Sequence, residues 1–218
     1  MNRATLALVA LAAVFGEGCR KIDKMSPGAS GSRAGVEHMT LSASNTTLAF
    51  AGVRNGAPLT GNFPTFTGFL DFSASGIERS RIRVVIDVGA VNTPSGALSI
   101  VLKSRAFFDA EHFPQATFES TSIAASDAGD ALFIINGNLT LRGQSRAISF
   151  PASVTTTPVT LNVTADFSLN VRAFGIVAVG TPGQENQDEL AIHLAVRAPR
   201  TPAPHSDAAR TPSAPVRR

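Results

Sequence analysis

The sequence predicts an all-β, antiparallel fold, closed either as a sandwich or as a barrel. Three observations carry that expectation. Apolar and polar residues alternate with a period of two in segment after segment, as in Ile82, Val84, Ile86 and Val88 or in Leu161, Val163, Ala165, Phe167 and Leu169. That period gives each strand one apolar face. The chain has 218 residues, 44% hydrophobic and 16% charged, with 14 Phe and neither Trp nor Tyr. That is enough apolar matter for one sizeable core and unlike a disordered chain. No heptad run, propeller-length repeat or apolar stretch of about 18 residues competes with the alternation.

The elements follow in chain order. Arg3 and the apolar run Ala4–Phe15 read as a secretory signal. At about 1.5 Å per residue the run reaches only about 18 Å, short of a bilayer core of about 30 Å. Gly16-Glu17-Gly18-Cys19 then resembles a bacterial lipobox, with Glu17 replacing the usual small residue. This predicts a signal over 1–18, cleavage before Cys19 and acylation of that cysteine, since paired acyl chains make a stable anchor. Residues 19–33 read as a polar tether. Residues 34–199 form the β domain, and the Pro- and Arg-rich end, 200–218, reads as a disordered tail.

Within the domain, strands are expected at Val36–Ser42, Thr46–Val53, Thr65–Phe72 and Ala116–Ala125, besides those marked by Ile82, Phe133, Ile148, Leu161 and Leu190. Asn55-Gly56 signals a hairpin, Gly143-Gln144 separates two strands, and Asn136-Gly137 reads as a bulge. Ser95–Ser104 is the one segment with helical spacing. The alternation places Phe72, Ile86, Phe118, Ile135, Leu139, Phe150, Phe167, Leu169 and Ile192 on apolar faces, with Ala152 and Ala165 beside them. Such rows are either a filled core or the lining of an apolar cavity, and periodicity alone does not choose.

Charge and motifs exclude several function classes. The net charge is +3, but residues 34–199 hold one Lys and nine Arg against thirteen acidic residues, or −3. The basic excess lies at the two ends without interleaved aromatics, which does not fit a nucleic-acid surface. A lone Cys forms no internal disulfide. His38, His112, His193 and His205 lack the close spacing of a zinc motif, although His38 and His193 fall on the first and last strands. No phosphate loop, dinucleotide fingerprint or nucleophile elbow is present. Asp109 and Glu111 read as solvated loop groups. The sequence therefore predicts no metal, no cofactor and no enzyme activity.

Leu102-Lys103-Ser104-Arg105-Ala106-Phe107-Phe108-Asp109, followed by Phe113-Pro114 and Thr117-Phe118, resembles the YceI-like family of periplasmic isoprenoid-binding proteins. Three more blocks agree in order: Gly61-Asn62-Phe63 with Phe66-Thr67-Gly68, Gly137-Asn138-Leu139-Thr140-Leu141-Arg142-Gly143, and Phe174-Gly175-Ile176 with Asp188-Glu189-Leu190. The departures are Ala106 for an Asp, Val101 for a frequent His, and Val171 and Ala173 where an Arg and an Asp are usual. The resemblance implies an eight-stranded, lipocalin-like antiparallel barrel with one short helix. It implies sequestration or transport of an apolar isoprenoid lipid, polyprenyl or quinone-like, on the periplasmic face of a bacterial membrane. The alternative is a structural envelope barrel with no ligand. A homodimer is compatible with either. On this reading Phe107 and Phe108 sit near one mouth, and the apolar residues named above line the interior.

Overall fold

The computed structural model describes residues 35–200, except 55, 74, 128–131 and 177–187. The signal, Cys19, the tether and the tail beyond Arg200 therefore lie outside the described residues. Ten strands form one antiparallel sheet: β1 (Val36–Leu41), β2 (Thr46–Arg54), β3 (Ala57–Asn62), β4 (Phe66–Ser73), β5 (Arg81–Asp87), β6 (Gln115–Ala125), β7 (Leu132–Leu141), β8 (Gln144–Thr156), β9 (Thr160–Asn170) and β10 (Glu189–Pro199). Their order is β1-β4-β5-β6-β7-β8-β9-β10-β2-β3. Strands β4 to β10 are a plain meander. β1 pairs with its first strand and β2 with its last, so a single turn joins both ends and the sheet curls on itself.

Ten strands form, not the eight that the resemblance implies. Nine fall on segments whose pattern predicts a strand, β1 and β2 among them, separated by the turn Ser42–Asn45 in which Thr46 N–H donates to the Ser42 carbonyl at 2.9 Å. The tenth, Ala57–Asn62, pairs with β2; its Pro58 and Gly61 hide the alternation and suit an edge position. Arg54 pairs with Ala57, so β2 and β3 form a hairpin where one is expected; Asn55 itself lies outside the described residues.

Two turn readings are corrected. β8 starts at Gln144, directly opposite Leu141, so the turn is Arg142-Gly143, with φ of 51° and 70°. Positive φ at both central residues is the hairpin geometry that follows strand twist. The bulge lies on β6, where Thr121 is the extra residue between Ser120 and Ser122. Gly137 stays in register opposite Ser120. A Cβ there would lie 2.5 Å from the Phe118 ring, so glycine serves close approach rather than a bulge.

The helix α1 (Gly96–Lys103) is one residue shorter at each end than expected and is capped by Ser95, whose hydroxyl accepts from Leu98 N–H. Leu102 anchors it at 2% exposure. Phe108 N–H donates to the Leu102 carbonyl and Ala110 N–H to that of Lys103. These bonds hold the Phe107-Phe108 loop against one end of the sheet. Asp109 is not solvated: it is 6% exposed and lies 2.7 Å from His112 Nδ1.

No ladder joins β1 to β10 among the described residues; the seam is held otherwise. Arg197 N–H donates to the Asn45 carbonyl at 2.7 Å. Arg200, which composition assigns to the tail, is docked. Its Nε and Nη2 reach both Glu37 oxygens at 3.0 and 2.5 Å, and its Nη1 reaches the Thr157 carbonyl. Its guanidinium lies 5.5 Å from the centre of the Phe72 ring. Hydrogen bonding to Glu37 raises the guanidinium pKa above its ordinary value, against a smaller opposing effect of burial. A raised folded value contributes stability at every pH below the ordinary guanidinium range, so this contribution is constant at working pH. Arg200→Ala is expected to cost about 1–2 kcal/mol and lower the melting temperature by a few degrees, with Arg200→Lys recovering only part because it lacks the planar fork. Thermal unfolding followed by circular dichroism checks both.

Candidate functional site: an apolar cavity with a split wall

The inward rows enclose a cavity of about 130 Å³ whose lining residues are all apolar. It lies toward the end covered by the Phe107-Phe108 loop. Leu48 and Phe50 of β2, Ile86 of β5, Leu139 of β7, Ile192 of β10 and Phe108 contribute to the wall. Phe63 meets Phe50 at 5.4 Å and Phe108 edge-on at 5.7 Å. A deeper void of about 60 Å³ shares Leu48, Val84, Phe118, Phe150 and Leu194 with the first. Those five side chains are a partition one residue thick.

Of the residues expected to line an interior, Ile86, Phe108, Phe118, Leu139, Phe150, Phe167, Leu169 and Ile192 surround the main cavity. Ile135 faces the deeper void instead. Phe107 lies outside both, in a small separate pocket where the Arg54 guanidinium is 5.2 Å from its ring centre. Phe72 is under Arg200 at the seam. Ala152 and Ala165, at 1% and 3% exposure, are packed and line neither space. Period two distinguishes inside from outside but carries no information on depth along the axis, which explains these differences.

The wall is not continuous. β8 pairs with β7 from Gln144 to Ser153, but with β9 only from Ser153 to Thr156. Ala165–Asn170 of β9 pairs with β10 alone. Six residues at about 3.3 Å each make a split on the order of 20 Å long. Ile148 and Phe150 form one lip, Phe167 and Leu169 the other, and all four line the cavity. The rings of Phe150 and Phe167 stack across the split, with centroids 4.3 Å apart and planes within 12°. Arg146 crosses its far end, Nε donating to the Ala173 carbonyl at 3.1 Å.

The polar groups are dispersed around this interior. His38 Nδ1 is 2.5 Å from Asp71 and His193 Nδ1 is 2.7 Å from Asp166. Each histidine is thus paired with a carboxylate on its own neighbouring strand and not with the other histidine. Among the described residues no group of three His, Cys, Asp or Glu could hold a metal.

A curled antiparallel sheet around a wholly apolar cavity is the lipocalin-like class of β-barrel. The chain belongs to the YceI-like domain family, whose model matches residues 39–198. A UPF0312 protein of Yersinia pestis (strain Pestoides F) is 33% identical over 97 residues, 44% of this chain and 49% of that protein. A Vibrio parahaemolyticus UPF0312 protein is 32% identical over 92 residues, 42% of this chain and 48% of that one. The chain thus spans about half the length of these relatives. Among solved structures, Burkholderia cenocepacia BcnA superposes with a TM-score of 0.65 at 22% identity, covering 72% of this chain and 99% of that one. A polyisoprenoid binding domain from Saccharophagus degradans, implicated in plant cell wall breakdown, gives 0.58 at 16% identity, covering 76% and 99%. These two likenesses concern the fold.

Leu48, Phe50, Phe63 and Leu190 also line the cavity, and of these Leu48 and Phe50 follow the β2 alternation. Arg142, Arg146 and Arg172 come together at the end of the split, and no periodicity in the sequence signals them. The ring stack across the split is open to test. Phe167→Ala is expected to cost about 2–3 kcal/mol, less than a fully buried Phe because Phe167 is half-buried. It should also speed the arrival of an apolar fluorescent dye in the interior, measured by stopped flow. An unchanged rate would show that the stack does not close the split.

Proposed function

We propose that this protein binds an apolar isoprenoid chain, polyprenyl or quinone-like, and sequesters or carries it without chemical change. The observation that supports this reading most is the main cavity, whose every lining residue is apolar. Apolar cavities near 150 Å³ accept a benzene-sized guest. The cavity as it stands therefore suits a few carbons of a branched chain, and more once the Phe118 and Phe150 rings turn aside and join it to the deeper void. An unfilled volume of this size costs about 3 kcal/mol at about 24 cal/mol per Å³, which a seated chain offsets. Each further Å² of apolar surface removed from water contributes about 25 cal/mol. Such a ligand needs no charged partner inside, and none is offered there. The family and the isoprenoid-binding domain of Saccharophagus degradans point to the same ligand class.

The experiment is selective filling. Ala116 lines the cavity at the β6 register opposite Ile86. Ala116→Leu should abolish binding of a polyprenol while leaving the melting temperature level or raised. Ala152→Phe, in a packed site, should cost about 1–3 kcal/mol. Titration of both variants with geranylgeraniol, followed by calorimetry, separates a ligand cavity from a solid structural barrel. In the latter the wild type binds nothing and both variants are destabilised.

We place the protein, by the same proposal, on the periplasmic face of a bacterial membrane through acylated Cys19. Cys19→Ala is expected to move it from the membrane fraction to the soluble fraction and to remove acyl mass from the intact chain. An unmodified Cys19 in the membrane-derived protein would sink the anchor.

A further inference from the structure

Three arginines gather where the split in the wall ends. Arg142, Arg146 and Arg172 line a surface cleft of about 390 Å³ together with Gln144 and the short turn Ala173–Gly175. Each is held in place from one side. Arg142 donates through Nη1 to the Gly175 carbonyl and through Nη2 to that of Arg105 at 2.7 Å. Arg146 donates through Nε to Ala173, with longer contacts from its Nη atoms to the Ser145 carbonyl and Gln144 Oε1. Arg172 Nε lies 2.7 Å from Asp188. Asp188 is the one carboxylate paired with any of the three among the described residues, so the cleft carries a net positive charge. A guanidinium has five N–H donors, and among the described residues these contacts leave at least two on each group unspent.

The cleft adjoins the cavity. Arg146 continues the inward row of β8 that runs through Ile148 and Phe150, both of which line the interior. Leu141 and Val171, the chain neighbours of Arg142 and Arg172, line it too. Pre-positioned guanidinium groups in a concave site favour anions that offer several oxygens, carboxylate or phosphate, over water.

We propose that Arg142, Arg146 and Arg172 form a phosphate-binding site at the end of the β8–β9 split, which holds the charged head of a lipid whose chain lies in the cavity. The inference rests on the reading of the cavity as a chain site and adds its head-group chemistry. The phosphate of a prenyl ester and free inorganic phosphate share that chemistry, and the test separates them.

Full-chain protein is titrated with geranylgeranyl monophosphate, with geranylgeraniol and with inorganic phosphate, for the wild type, Arg172→Gln and the pair Arg146→Gln/Arg172→Gln. Arg172 is largely exposed, so the single variant keeps the test readable if the pair unfolds. The wild type should bind the monophosphate at least tenfold tighter than the alcohol, with the preference falling as salt rises. The single variant should lose several-fold of that preference, and the pair should bring it within about twofold, while affinity for the alcohol stays level. Equal wild-type affinity for monophosphate and alcohol, or a preference untouched in both variants, overturns the head-group site and leaves the chain reading standing. Inorganic phosphate binding that matches the monophosphate, with no alcohol bound, overturns the lipid source and the chain reading together.

Discussion

The turn Ser42–Asn45 makes one stretch of chain serve both ends of a seven-strand meander, and the rest of the structure depends on that constraint. β1 is hydrogen-bonded to β4, the first strand of the meander, and β2 to β10, the last. The sheet cannot lie open without tearing one ladder or the other. Curling turns the inward rows of all these strands toward one another and makes an interior of them. The seam needs its own bonds because β1 and β10 do not form a ladder, and the Arg200–Glu37 pair with Phe72 beneath it supplies them. A charged residue at the edge of the sheet thus does what a closed ladder does elsewhere.

Chemistry inside follows from that geometry. Phe without Trp or Tyr gives large rings with no polar tip to satisfy, so the interior can be dry without leaving a hydrogen bond unmade. Among the described residues the only buried side-chain polar atom without a partner is Arg54 Nε, and Arg54 borders the Phe107 pocket rather than the main cavity. The His38–Asp71 and His193–Asp166 pairs join neighbouring strands and stabilise the outer face at most modestly, as exposed ion pairs do. Polarity is concentrated instead at the end of the split, where arginine side chains span from the β7–β8 hairpin to the turn after β9. An apolar cavity beside a cationic cleft is the arrangement on which the proposed head-group site rests.

The split itself resolves a conflict between closure and access. Ladder bonds between β8 and β9 persist only from Ser153 to Thr156. Beyond them the two lips are held by ring stacking and by one guanidinium, interactions of about 1 kcal/mol each that yield more readily than a run of backbone bonds. The wall is weakest where its residues also line the cavity.

The sequence by itself determined nine of the ten strands, the face each buries, the absence of charge from the interior and the ordered blocks shared with the YceI-like family. Those properties are local: period two, turn residues and side-chain type act over a few positions. Only the tertiary structure decided that Phe72 and Phe107 lie outside the cavity, that Ala152 and Ala165 are packed, that Asp109 is buried, and that Arg200 docks at the seam. It alone decided that β8 and β9 part, and that Arg142, Arg146 and Arg172 meet. These depend on curl, strand register and position along the barrel axis, which are set by contacts between residues far apart in the chain. An alternating pattern is the same at every depth and on either side of a split, so it could not carry them.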